Sequence, residues 1–492
     1  MDKIEIKEFY KGRDVFITGG LGFLGKVLIE KLLRSCGDLN RIFVLVRAKK
    51  NKAAQCRLNE TLSTNLFDIL RNKYPDRLKK VIAVNGDVAS DDLGLNESDL
   101  MLMSNVSIIF HSAATVRFNE TMRQSILINT KGTHEVMKFA QKLSYVKAIV
   151  HVSTTYCNLD RLYLEEKVYS PYADWKDMIK AALDNDEKAL KNLFSSNTKY
   201  KHNTYTISKH LAEQCANDYK DILPVLIFRP AIVIPVLTDP LPGWVDNWNG
   251  PIGICAGIGS GIVRTFYADP SIYSEYTPVD SSARCMIVAA YAMGTNQARV
   301  SDDIPVYNCS RPYKNYQVTS VGLEVLKENP MEKTLWAPDN TMTSSPFYFH
   351  LRFFLFQMIP AIIVDIMLLT FRQKPFLYKL QKRVYKSFSF MAPFLQTQWN
   401  VSSDNVRHLD SLIPRKEIDE FGCYDHMIFD LHSYMKNCIT GVKVNLLKEP
   451  EKCSKKGLLK YQTLVFADRL IRILFYTGIA YVLFRCIAGL VF

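Results

Sequence analysis

The segment DVFITGGLGFLGKVLIEKLL, residues 14–33, restricts the fold more than any other part of the chain. An apolar run, Val15-Phe16-Ile17, reaches Thr18 and a turn holding Gly19, Gly20, Gly22 and Gly25, and then a helical pattern of apolar residues. A tight turn leaving a strand needs glycine at positive φ, and close backbone approach to a pyrophosphate needs the absence of Cβ. The helix expected to open near Phe23 and Leu24 offers unpaired N–H groups and its positive dipole end to phosphate. A bare glycine triplet can be an ordinary turn. With its flanking strand and helix it predicts the first unit of a doubly wound α/β sheet that binds a dinucleotide.

The following segments continue that plan. Arg41-Ile42-Phe43-Val44-Leu45-Val46 reads as a buried second strand that ends at Arg47, where an acidic side chain would bind a ribose 2′-OH and an arginine suits a 2′-phosphate. Lys49, Lys50, Lys52 and Arg57 add positive field, so NADPH is the expected cofactor; a solvated basic loop is the competing reading. Val81 to Val84 leads to Gly86-Asp87-Val88, where Asp87 is placed to reach the adenine. Val106 to Phe110 leads to His111, Ser112, Ala113 and Ala114, small residues against which a cofactor can lie. His111, at a strand end, reads as a satisfied core histidine. Ile149 to Val152 is a further strand, followed by the hydroxyls of Ser153, Thr154 and Thr155 at the carboxyl edge, where such sheets bind their ligands.

Further along stands Tyr205-Thr206-Ile207-Ser208-Lys209. A helix puts Tyr205 and Lys209 on one face. A phenol titrates near pH 10, and a neighbouring ammonium together with an oxidised nicotinamide ring would favour tyrosinate and lower that value. Thr154 or Ser153 would polarise a substrate carbonyl. An incidental surface pair is the bland alternative. Behind the predicted sheet the combination points to hydride transfer with proton donation by Tyr205.

These motifs, with SAATVRFNE (112–120), VSTTY (152–156), YTISKHLAE (205–213), FRPAIV (228–233) and GWVDNWNGPIGICAGIGSGIVRTF (243–266), resemble the alcohol-forming fatty acyl-CoA reductases. These are membrane-associated relatives of the extended short-chain dehydrogenases. The similarity covers about residue 10 to residue 445, and the stretch from Gly243 to Phe266 is its most specific part. The resemblance implies reduction of a long-chain or very-long-chain acyl-CoA to a fatty alcohol, with two NADPH consumed and CoA released through hemithioacetal and aldehyde. It implies Thr154 (or Ser153), Tyr205 and Lys209 as the active triad. Thr18, Gly19, Gly20, Gly22, Phe23, Leu24 and Gly25 would surround the pyrophosphate, and Arg47 would take the 2′-phosphate. Asp87, Val88, Ala113 and Ala114 would line the cofactor, with Pro230 and Ile232 beside the nicotinamide. Leu21 and Ser208 stand where the family often has threonine. Ser282, Ala283 and Arg284 replace two aliphatic residues and an asparagine, which bears on local substrate contacts.

Lys and Arg number 62 against 49 Asp and Glu, a net charge of +13. The charges are dispersed and no nucleic-acid module is present, so nucleic acid is not an expected partner. A cluster from Arg372 to Lys386 could meet anionic lipid headgroups or CoA phosphates, or be a solvated helix face. The 11 cysteines show no C-x-x-C pair and read as reduced, cytosol-facing thiols. His426 and His432 are spaced for different helix faces, and no metal is expected.

Ile473 to Phe492 is long and apolar enough to cross a bilayer, with Arg485 as its one charge. Lys455, Lys456, Lys460, Arg469 and Arg472 precede it, so a tail anchor with a cytosolic catalytic part is expected, in endoplasmic reticulum or peroxisome. No cleavable signal is expected at the start. Residues 347–371, interrupted by Arg352, Pro360 and Asp365, read as an interfacial or re-entrant helix pair, with a helical core as the alternative.

The organisation expected is an α/β Rossmann-type doubly wound parallel sheet with a helical C-terminal domain and a transmembrane helix. Residues 10–335 bind NADPH and cover the substrate, with a helical, charge-rich insertion between Tyr156 and Lys201. Residues 340–445 are the helical domain, 446–468 a linker and 470–492 the anchor. Homo-oligomerisation stays open. Competing functions are an aldehyde-releasing acyl-CoA reductase, a membrane sterol-type dehydrogenase and a catalytically silent scaffold.

Overall fold

A computed structural model describes residues 4–48, 52–118, 120–195, 203–298 and 303–491. Lys49 and Lys50, expected beside the cofactor, lie outside the described residues. The main sheet has seven strands: β1 Asp14–Thr18, β2 Arg41–Val46, β3 Val81–Asn85, β4 Val106–His111, β5 Ala148–Val152, β6 Val225–Pro230 and β7 Val306–Cys309. They lie in the order β7-β6-β5-β4-β1-β2-β3, and each neighbouring pair is parallel. Every residue of β1, β4, β5 and β6 is buried, which is why these strands read as unbroken apolar runs and not as alternating patterns. Phe16, Phe43, Ile109, Ile149 and Ile227 meet in one core cluster.

Register aligns the carboxyl ends of these strands. Thr18 pairs with His111, His111 with His151, Val152 with Phe228, and Pro230 with Cys309. The order reverses between β1 and β4, so the loops after these two strands diverge and leave the crevice in which open α/β sheets bind ligands. Helix α1, Phe23–Ser35, follows β1. A π-turn over Ile126–Lys131 runs into α2, Gly132–Gln141, after β4; α3, Thr204–Asn217, precedes β6, and α4, Val279–Gly294, precedes β7. The insertion after Tyr156 carries helices Trp175–Leu183 and Glu187–Ser195, as its composition predicts.

Packing divides the chain into two compact units. One holds Met1–Pro242, Glu275–Pro312 and Trp399–Phe429; the other holds Gly243–Ser274, Tyr313–Gln398 and Asp430–Phe492. These units interleave along the chain, whereas the segments drawn from sequence run consecutively. The second unit is mainly helical. It contains α5, Pro346–Phe353, continued through a π-turn at Phe354–Met358 into α6, Ile359–Thr370; then α7, Leu377–Gln396, and α8, Lys455–Val491. The pair of helices expected within 347–371 is instead one helical run with a π-turn, and its partner is the returning α7. Helix α8 begins at Lys455, inside the stretch read as linker. Both Pro346–Thr370 and Lys455–Ala488 are long and apolar enough to cross a membrane.

Candidate active site

The glycine turn is built by steric necessity. Gly19 has φ +74°, and a Cβ there would lie 2.6 Å from Ala113 N and 2.7 Å from Ser112 C. A Cβ on Gly25 would lie 2.4 Å from Gly19 O, so α1 starts in contact with the turn only because Gly25 lacks a side chain. Gly22 caps α1 without a side-chain acceptor, so the first-turn N–H groups near Phe23 and Leu24 have no side-chain cap. This is the cradle a pyrophosphate requires, and the residues fit a dinucleotide. Gly20 packs on the sheet instead, where a Cβ would meet Val44 Cγ1 at 2.6 Å.

Thr18 and His111 lock the turn to the neighbouring loop. Thr133 donates its hydroxyl to Asn129 O at 2.7 Å and so accepts from His111 Nε2 at 3.1 Å. His111 Nδ1 then accepts the Thr18 hydroxyl at 2.7 Å, and Thr18 Oγ1 accepts the Ala113 N–H at 3.3 Å. Burial, reinforced by the Lys209 charge, pushes His111 down to about 3, so it is a neutral core histidine as the sequence suggests. Ala113 thereby touches both the turn and the lock. Ala114 follows it in the same partly buried loop.

Arg47 and Asp87 come together at the ends of β2 and β3, with Nη1 3.5 Å from Oδ2 and Arg47 well exposed. Arg57 donates to the Arg47 carbonyl. The Val88 side chain is buried against Gly132 and belongs to the core, so only its backbone is available at the edge. Pro230 ends β6, and Ala231 N–H donates to Cys309 O at 3.0 Å. Ile232 pairs with Tyr276 in a short parallel ladder.

Helix α3 carries Tyr205 and Lys209 on its first turns, capped by Asn203, whose side chain accepts from Thr206 N at 2.9 Å. Lys209 Nζ donates to Val152 O at 2.6 Å, which seats it under the end of β5. Burial brings Lys209 down to about 8, while Glu213 one turn on pulls the other way. Thr154 is the hydroxyl that acts on the Tyr205 phenol; the Ser153 hydroxyl is buried without a hydrogen-bond partner among the described residues. The expected lowering of the Tyr205 phenol is not a property of the polypeptide: burial raises it above its ordinary value, and the Thr154 bond only opposes that rise. The chain by itself keeps Tyr205 protonated, the form needed in a proton donor.

Three supporting residues escaped the sequence reading. Asn129, in the π-turn before α2, accepts Thr115 N at 2.9 Å and donates to Thr115 O at 3.2 Å and Ser208 Oγ at 2.9 Å, tying the loop after β4 to the tyrosine helix. Glu213 and Arg229 form a buried bidentate pair at 2.7 and 2.6 Å, and Arg229 also donates to the carbonyls of Glu165 and Lys167. Ser282 and Ala283 are buried in α4, and Arg284 donates to Thr238 Oγ1 at 2.6 Å. The departures at these positions therefore serve packing. His426 and His432 fall in different units, and His432 lies 3.3 Å from Glu328. All 11 cysteines are free thiols.

The NAD-binding family model described as male sterility protein matches residues 17–286, and a second with the same description matches 356–449. Fatty acyl-CoA reductase 1 of Homo sapiens is 34% identical over 453 residues, covering 91% of this chain and 87% of that protein. Fatty acyl-CoA reductase wat of Drosophila melanogaster is 31% identical over 484 residues, covering 97% and 91%. Among solved structures, the reductase domain of a nonribosomal peptide synthetase from Mycobacterium tuberculosis superposes with a TM-score of 0.58 at 19% identity, covering 88% of this chain and 92% of that one. The terminal R domain of the myxalamid pathway gives a TM-score of 0.56 at 17% identity, covering 89% and 92%. Those two likenesses concern the fold. The amino-terminal region is thus of the nicotinamide-dinucleotide-binding type, and on its sequence relatives the chain belongs to the fatty acyl-CoA reductase family.

Proposed function

We propose that this protein reduces long-chain or very-long-chain fatty acyl-CoA to the primary fatty alcohol, with NADPH as reductant and CoA as the leaving group. The observation that carries the reading is the seating of Thr154, Tyr205 and Lys209 at the carboxyl edge of β5, on the same sheet edge as the Gly19 turn. NADPH, when bound, supplies the hydride. The Gly19–Gly25 turn and the first turn of α1 would hold its pyrophosphate, and Arg47 would hold its 2′-phosphate.

Thr154 and Tyr205 hydrogen-bond the substrate carbonyl oxygen and stabilise the negative charge that develops there. Tyr205 delivers its proton to that oxygen, at the thioester carbonyl before CoA departs and at the aldehyde in the second reduction. Lys209 remains charged below about pH 8 and favours the tyrosinate left behind. Glu213, fixed by Arg229, keeps positive charge on Lys209. Helix α8 anchors the protein, with the basic residues from Lys455 to Arg472 on the cytosolic side.

The test is expression in yeast membranes with NADPH and acyl-CoAs of graded length, followed by gas chromatography of the lipids. Fatty alcohol with two NADPH oxidised per CoA released is expected. Aldehyde with one NADPH per CoA would remove the second reduction. Neither product, with NADPH still bound, would overturn the substrate class.

A further inference from the structure

Residues 354–371 present a large apolar surface to solvent. Phe354, Ile363, Ile366, Met367, Leu369 and Phe371 are each more than half exposed. Arg352 just before this segment, and Pro360 and Asp365 within it, interrupt the apolar run in sequence, but none of them breaks its apolar face in the structure. Asp365 accepts the N–H groups of Phe376 and Leu377 at 3.0 Å and of Tyr378 at 2.8 Å, so its carboxylate caps the returning helix α7 and turns away from the apolar face. Arg352 is buried and donates to Thr341 Oγ1 at 3.0 Å and Asp339 Oδ2 at 3.3 Å. Pro360 falls in the first turn of α6, directly after the π-turn.

The returning helix supplies charge of one sign. Lys379, Lys382, Arg383 and Lys386 follow helical spacing on one face of α7, all exposed, and Arg372 and Lys374 flank the turn. Asp365 is the one acidic residue between Pro346 and Gln398, and it is engaged as the cap. Among the described residues none of these six cations has an ion-pair partner. Tyr378 and Tyr385, both exposed, interleave them as aromatics do at membrane interfaces.

The segment also starts beside α8 at Arg472. Asp339 accepts both Arg352 of α5 and, at 2.6 Å, Arg472 of α8. One turn beyond this lock Phe356 meets Phe475 edge-on, with ring centroids 5.5 Å apart. Past Arg472, α8 exposes a series of apolar residues from Ile473 to Phe484, before Arg485. The lock therefore holds the two apolar segments side by side at one level.

We propose that the hairpin of α6 and α7 is an interfacial membrane seat. It lies at the headgroup–acyl boundary of an anionic leaflet beside the entry point of α8, with α6 toward the acyl chains and the α7 cations at lipid phosphates. The cations along α7 exclude a full crossing by the hairpin, because charges in hydrocarbon are costly, while an amphipathic hairpin at the interface satisfies both faces. This goes beyond the proposed reaction and does not depend on it.

The experiment uses the full chain in phosphatidylcholine–phosphatidylserine vesicles, with a fluorescent amino acid at Ile366 or, as a reference on α8, at Val482. The quenchers are phospholipids brominated near either end of the acyl chain. The Ile366 probe should be quenched more by bromines near the headgroup, and the Val482 probe more by bromines near the methyl end. A fourfold variant, Lys379→Gln, Lys382→Gln, Arg383→Gln and Lys386→Gln, should retain NADPH binding and lose at least half of the Ile366 quenching. Pure phosphatidylcholine should weaken the parent protein similarly. A quenched Val482 probe with an unquenched Ile366 probe would overturn the seat, whether a second copy or another protein covers the hairpin instead. Deeper quenching at Ile366 than near the headgroups would replace the seat by a span. Equal quenching of parent and fourfold variant would overturn the anionic contact.

Discussion

Replacing Gly19 by alanine adds one methyl group where the backbone leaves no room. At φ +74° an L-residue costs about 1–2 kcal/mol. The new Cβ would also stand 2.6 Å from Ala113 N, 2.7 Å from Ser112 C and 2.9 Å from Ala113 Cα, all backbone atoms. They cannot retreat freely, because Ser112 N and Oγ hold Thr18 O at 3.2 and 2.8 Å. Overpacking of this kind costs about 1–3 kcal/mol more. A turn that relaxes to avoid the clash moves its N–H groups off the pyrophosphate, and about 2 kcal/mol lost in binding weakens NADPH by about 30-fold. Gly12 supplies the control: its φ is +68°, and a Cβ there meets nothing within 4 Å. Gly12→Ala should pay only the backbone cost and leave NADPH affinity unchanged. Fluorescence titration with NADPH and thermal unfolding of both variants measure the difference. If Gly19→Ala binds NADPH like the parent and unfolds no earlier than Gly12→Ala, the steric account of the turn is wrong.

Other outcomes follow from the same geometry. Tyr205→Phe should reduce turnover by about 10²–10⁴ while NADPH binding stays within a few-fold, and a fully active variant would exclude Tyr205 as proton donor. Turnover should fall as pH rises through about 8, where Lys209 loses its proton. Stability should move in the opposite sense. Burial depresses Lys209 in the folded chain, so the unfolded chain holds more protons between about pH 8 and the ordinary lysine value, and this residue's contribution to stability rises with pH across that window. Urea titrations of the parent and Lys209→Met at both ends of the window isolate it. Arg47→Ala should weaken NADPH by about 10- to 100-fold, the worth of a hydrogen bond to a charged group, and leave NADH binding unchanged. Equal losses for both cofactors would remove the 2′-phosphate role.

Much of the scaffold was legible because it rests on local rules. Val15-Phe16-Ile17 followed by spaced glycines can form few things other than a buried strand, a tight turn and a helix, and the structure contains these elements at Asp14–Thr18 and Phe23–Ser35. His111 was readable as a core residue because a histidine at the end of a buried strand is held by its neighbours' hydrogen bonds more often than it reacts. Asn129 and the Glu213–Arg229 pair were not readable. Their partners, Ser208, Thr115 and the carbonyls of Glu165 and Lys167, are distant in sequence, and nothing local announces them.

The sequence by itself determined the strand–turn–helix order, the family and the candidate reacting groups, since these depend on residue type and short spacing. Tertiary structure decided which hydroxyl acts on Tyr205, by turning Thr154 to it and burying Ser153 without a partner among the described residues. In the chain alone, burial outweighs what nearby groups provide and holds the Tyr205 phenol above its ordinary value. At Asp365 tertiary structure turned an apparent interruption of an apolar helix into a cap for the next one. Charge and polarity are written in the sequence, but what a charge costs depends on its partners and its access to water, and folding alone sets both.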